Sequence, residues 1–183
     1  MRFASLVTLT LALALAGAHA FADELSELDK LYARLAHTRY ADEAQGIIGE
    51  IDALRLQSGS DTADLLMTRA RKARQAADPA LARQIFDALV DLNPEWSEGF
   101  SARAGLRFES GDVDGAMTDL AQTLKRDPRD IGALVGLGAI VQGAGDPEGA
   151  LKVLDAALAL APAYEPVKQA RMRAQNQVWS RSP

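Results

Sequence analysis

The sequence predicts an all-α protein: an α-solenoid of antiparallel helix pairs with a capping helix at its C-terminal end. Three observations carry this reading. Pro94, Pro128 and Pro162 lie 34 residues apart, and the sets Ala82/Ala116/Ala150, Phe86/Leu120/Leu154, Ala70/Ala104/Gly138 and Leu66/Phe100/Leu134 keep the same interval. A period of that length, built from small and large apolar sites, marks a helix pair that buries its apolar face only by stacking on a neighbour. The breaks Ala77-Asp78-Pro79, Gly111-Asp112-Val113 and Gly145-Asp146-Pro147 recur in step, each between two apolar-periodic stretches. Glycine ends one helix in the left-handed conformation, aspartate caps the next and proline suits its first turn. Finally, Asn93-Pro94, Asp127-Pro128 and Ala161-Pro162 close the second helix of each pair, since the residue before proline is pushed out of the helical region.

The elements follow in order. Met1-Arg2, the apolar run Leu6 to Ala16 and Ala18-His19-Ala20 read as a secretory signal peptide over 1–20, cleaved after Ala20. The run is shorter than the ~20 apolar residues of a membrane span. The expected location is the periplasm, or the exterior where the source has a single membrane, with no stable membrane insertion of the mature chain. Residues 21–183 then form a single repeat domain. A degenerate first unit covers about 25–58, with Leu28, Leu31, Leu35, Ala44, Ile48 and Ile51 at the repeat's apolar offsets and Gln57-Ser58-Gly59-Ser60-Asp61 as a small insertion after it. Three clearer units cover 63–96, 97–130 and 131–164, and a solvating cap follows over about 164–180, with Val167, Ala170, Ala174 and Val178 inward.

The alanines at 82, 116 and 150 are expected where two helix backbones approach closely, and Phe86, Leu120 and Leu154 where they fill the space between pairs. With no cysteine in the chain, stability has to come from this packing. The mature chain carries a formal charge of −6, which argues against a nucleic-acid partner.

These residues resemble the tetratricopeptide repeat family. The match is fullest in 97–130, with Phe100, Ala104, Gly111-Asp112, Ala116, Leu120 and Pro128, and in 131–164, with Leu134, Leu137, Gly138, Gly145-Asp146, Ala150, Leu154, Ala157 and Pro162. The unit 63–96 keeps Leu66, Ala70, Ala82, Phe86 and Pro94 but has Ala77 in place of the turn glycine. The resemblance implies a right-handed superhelix whose first helices line a concave groove that holds a peptide. Carried onto this chain, the groove is lined by Met67, Thr68, Arg71 and Gln75, then Ser101, Ala102, Gly105 and Phe108, then Val135, Ala139 and Gln142. It runs from basic and polar to small and apolar. Arg71 alone has a charge suited to clamping a terminal carboxylate, so a segment with an apolar stretch is the expected ligand.

Several departures need an account. Arg69, Arg103 and Arg107 stand where apolar residues are usual; either their stems cover apolar surface, or their guanidinium groups serve an acidic partner or an internal carboxylate. Gly132, Gly136, Gly138 and Gly143 each cost about 1 kcal/mol against alanine within a helix, so they are expected to let something approach the backbone closely. The basic run 69–74 reads as a solvated helix face, and Gly136-Leu137-Gly138 lacks the third glycine and preceding strand of a dinucleotide loop.

Catalytic, metal and cofactor residues are not assigned. After the leader there is one histidine, His37, with no cysteine to accompany it and no nucleophile elbow. Asp112/Asp114 and Asp127/Asp130 fall where helix capping explains them. The reading is therefore a non-enzymatic, exported adaptor that binds a peptide segment of a cell-envelope protein without cofactor. The alternative is an envelope assembly protein that self-associates weakly through its solenoid ends, around Val178 and Trp179.

Overall fold

The computed structural model describes residues 27–181; the expected signal peptide lies outside them. The described residues form nine helices and no strand: α1 (27–37), α2 (Ala41–Arg55), α3 (Asp61–Gln75), α4 (Pro79–Leu92), α5 (Ser97–Glu109), α6 (Val113–Arg126), α7 (Ile131–Gly143), α8 (Pro147–Leu160) and α9 (Glu165–Arg181). None of these helices is long and apolar enough to cross a membrane.

Helix ends follow from local chemistry. Asp78, Asp112 and Asp146, spaced by the repeat interval, accept from the amides of Leu81, Gly115 and Gly149 at 3.0, 3.0 and 2.8 Å and so start α4, α6 and α8. The residue before each cap is left-handed: Gly111 and Gly145 have φ of 80° and 88°, and Ala77 is forced to 57°. The second helices stop at Asn93, Asp127 and Ala161, each followed by proline.

The pairs α3–α4, α5–α6 and α7–α8 pack within themselves and stack through α4–α5 and α6–α7, and α9 lies on α8. Ala82, Ala116 and Ala150 are fully buried, as is Phe86, with Leu120 and Leu154 nearly so. Gly138 shows why that position stays small: a Cβ there would stand 2.8 Å from Leu154 Cγ.

The α1–α2 hairpin lies within the span expected for a first unit, but it does not stack on the next one; α2 does not pack along α3. In the insertion, Ser58 donates its backbone amide and hydroxyl to Asp64 Oδ1 at 3.1 and 2.6 Å, and Gly59 turns with φ 73°. The chain is thereby redirected. Leu31, Tyr32, Leu35, Ala44, Ile47, Ile48 and Ile51 instead form one apolar cluster with Ile131, Leu134, Ala157, Ala161, Ala163 and Val167.

The hairpin crosses the edge on which second helices end and first helices begin, and touches three junctions in turn. Trp96 Nε1 donates to the Arg55 carbonyl at 3.0 Å, and Tyr32 donates its hydroxyl to the Arg129 carbonyl at 3.0 Å. Arg129 lies 4.3 Å over the Tyr32 ring and donates to Asp29 at 2.6 Å. At the last junction, Ala161 and Ala163 enter the shared core. Apolar periodicity marks which face of a helix is buried; it does not name the surface that covers it.

Candidate functional site

The groove face comes from α3, α5 and α7, and the structure adds α9. Of the expected lining residues, Met67 is only 3 % exposed and belongs to the core between α3 and α4, so it leaves the groove surface. Thr68 and Gln75 are exposed, and the Thr68 hydroxyl donates to its own helix at Asp64 O, 2.9 Å away. Ser101, Ala102 and Gly105 are half-buried, and Phe108 stands 50 % exposed beyond them. At the far end Val135, Ala139 and Gln142 line one cleft of about 290 Å³ together with Gly143, Leu154, Ala170, Arg173 and Gln177.

The electrostatics of this face differ from the expected gradient. Arg71 reaches Glu98 at 3.9 Å. Arg74 bridges from α3 to α5, donating with Nε to Glu109 at 2.8 Å and with Nη2 to the other carboxylate oxygen, and it crosses close to Gly105. This pair holds the Glu109 carboxyl below its usual range. Arg71 and Arg74 are thus drawn to carboxylates of α5, while Arg69 and Lys72 of α3 stay exposed without an ion pair among the described residues. On α9, Arg173 is likewise exposed and forms no ion pair among the described residues. The repeat interval carries position 71 through Gly105 and Ala139 to Arg173, on a helix that lies beyond the last helix pair.

The departures resolve into internal chemistry. Arg103 donates to both oxygens of Asp119, at 2.9 and 2.8 Å, and to Asp87 at 2.8 Å. Arg107 reaches the same Asp119 at 3.0 Å. Asp119 is 1 % exposed, and an isolated carboxylate could not stay ionised at that depth; the two arginines face this internal carboxylate. Arg69 stays on the exposed face. Gly138 and Gly136 are occupied by Leu154 and Leu120, whereas Gly143 faces open space.

A second charged centre sits where the hairpin meets the groove. Arg55, with its side chain 7 % exposed, lies 3.5 Å from Glu98 and 3.1 Å from Asp127, and pairs with Asp130. Burial pushes the Glu98 carboxyl up, against the pull of Arg55. Beside this cluster a small cavity of about 150 Å³ is walled by residues including Ile48, Ile51, Ile131, Val135 and Tyr164, so the hairpin covers the start of α7. His37 is exposed with Nδ1 2.8 Å from the Ala33 carbonyl.

Comparison with known proteins agrees with this architecture. The tetratricopeptide repeat family model matches residues 107–175. A TPR repeat-containing protein of Rhizobium etli is 35 % identical over 136 residues, covering 74 % of this chain and 67 % of that protein. Among solved structures, the TPR2B domain of yeast Sti1 in complex with an Hsp70 peptide superposes with a TM-score of 0.60 at 20 % identity, over 64 % of this chain and 99 % of that one. The Yersinia enterocolitica type III secretion chaperone SycD, in complex with a peptide of the translocator YopD, gives 0.57 at 21 % identity, over 66 % and 92 %.

Proposed function

Because this chain belongs to the tetratricopeptide repeat family, we propose that it is a non-catalytic adaptor that holds a peptide segment of a protein partner in its concave groove. The carrying observation is the groove surface itself: half-exposed Phe108 shares α5 with the small, part-exposed Ser101 and Gly105, and α7 adds the exposed Ala139, whereas Ala102 packs against the α3–α4 core; these small residues leave room for a chain to lie against α5 and α7. The peptide-bound Sti1 and SycD structures support the mode of binding. The amino-terminal leader expected from the sequence supports export and a partner in the cell envelope. The test is crosslinking of the exported protein in cells, followed by anisotropy titration of the crosslinked peptide. Phe108→Glu with Ala139→Glu, both at exposed positions, is expected to abolish binding without loss of helicity. Unchanged affinity in that variant would refute the groove.

A second reading, self-association through the solenoid end, is favoured by Met172 and Trp179, which are 57 % and 66 % exposed on α9 beside Leu158. Light scattering at micromolar concentration separates the two, since a monomer removes it.

A further inference from the structure

We propose that the pocket between α2 and α7 is a binding site for a small organic amine, whose apolar body sits against the N-terminal hairpin and whose ammonium is held at the mouth by Asp52. The site lies under the hairpin and does not depend on a peptide in the groove.

Size and lining set the apolar part of the ligand. The pocket measures about 150 Å³, and an apolar cavity of about that volume holds one benzene molecule. Ile48 and Ile51 of α2, Ile131 of α7 and Tyr32 of α1 line it and are all buried, so its inner part is apolar. Asp52 and Tyr164 line it as well, but Asp52 is exposed and Tyr164 half-buried, which places them at the mouth. The cation in the lining, Arg55, is already shared by Glu98, Asp127 and Asp130.

Charge sets the rest. Asp52 forms no ion pair among the described residues. Burial pushes its carboxyl up, against the pull of Arg55, and Asp130 pushes it the same way. Four carboxylates, Asp52, Glu98, Asp127 and Asp130, surround Arg55, and the second guanidinium is Arg71, 3.9 Å from Glu98. Arg129, over the Tyr32 ring, is taken by Asp29. The surroundings are therefore negative in sum, so a cation is attracted and an anion repelled, and the Tyr164 ring at the mouth suits an ammonium as well. The order of the groups excludes a lysine or arginine side chain, whose charged tip would have to reach the buried isoleucines first. An amine with its charge close to the apolar body enters the right way round. Because α1 and α2 wall the pocket on one side and α7 on the other, an occupant fastens the hairpin to the solenoid.

The probes are benzylamine, benzyl alcohol and phenylacetate, titrated into the full mature chain at constant pH and salt and read by methyl and amide chemical shifts in two-dimensional NMR. Saturable shifts at the methyls of Ile48, Ile51 and Ile131 and at the Gly132 amide are expected with benzylamine. Affinity should be about three- to tenfold weaker for benzyl alcohol, or for benzylamine in Asp52→Asn, and phenylacetate should not bind. Val135→Phe, which fills the pocket from its α7 wall, is expected to remove benzylamine binding while helical circular dichroism persists. Phenylalaninamide, an amine that carries the start of a peptide chain, separates the two sources of such a group: binding as tight as that of benzylamine points to a peptide N-terminus, and exclusion to a free small amine. Benzyl alcohol or phenylacetate binding as tightly as benzylamine, unchanged affinity in Asp52→Asn, or shifts that miss these isoleucines would overturn the assignment. Should Val135→Phe unfold, the comparison of ligands on the wild type still decides.

Discussion

The carboxylate of Asp130 joins Arg55, 75 residues earlier in the chain, to the first turn of α7. One oxygen pairs with the guanidinium and the other accepts the Ala133 amide at 2.8 Å. A single side chain thus caps a helix of the last repeat and anchors the N-terminal hairpin. Removing one partner of a buried pair strands the other, at about 3–5 kcal/mol. Arg55→Ala is therefore expected to lose about that much in urea denaturation, and Arg55→Lys to recover only part of it because one ammonium cannot face Glu98, Asp127 and Asp130 together. A loss below about 1 kcal/mol would show that the hairpin is held by its apolar face alone.

Acidity should act through Glu98. Its folded carboxyl lies above the ordinary value of 4.5 because it is buried, so the folded state prefers it protonated. The stability it contributes is present below that ordinary value and is lost as pH rises through the higher folded one. Glu98→Gln stays neutral throughout, so its stability should fall less than that of the wild type between about pH 4.5 and 7. Parallel urea midpoints across that range would contradict this.

The two ends of the Arg103 bridge should differ in cost. Asp119 is buried between two arginines, whereas the Asp87 side chain is 47 % exposed. Asp119→Ala is expected to destabilise by about 3–5 kcal/mol and Asp87→Ala by about 0–1 kcal/mol, by chemical denaturation. Equal losses would mean that the network is not centred on Asp119.

Small residues give a paired prediction of opposite sign. Ala77 carries a left-handed φ of 57° where the later units have glycine, a conformation costing a side chain about 1–2 kcal/mol; Ala77→Gly should raise the melting temperature. Gly138→Ala gains helix propensity but drives its Cβ to within 2.9 Å of two atoms of the buried Leu154, so it should lower it. Calorimetry decides both.

Much of this was legible because a repeat states its own constraints several times. Ala82, Ala116 and Ala150 could be read as contact points since three copies agree, and the Gly-Asp turns likewise. What exists in a single copy was not legible. Asp119 has no counterpart that announces a buried carboxylate, since Ile85 and Val153 stand at its repeat positions, so the sequence alone allows Arg103 and Arg107 two roles. Leu31, Ile48 and Ile51 have the spacing of a first unit whether they cover α3 or the distant α7–α9 end. The repeat position of Met67 predicts a groove residue, yet it turns inward into the core that it shares with the small Ala70 and Ala73.

The hairpin laid across three junctions changes how such a molecule comes into being. In an ordinary array each unit settles against its neighbour, and order spreads from wherever it begins. Here α1 and α2 find their seat only once residues 127–167 have been made, so a long loop has to close before the described fold is complete. The hairpin is made before the helices it rests on and settles only with them, so what would have been a spring of independent coils is fastened from its first described helices to its last.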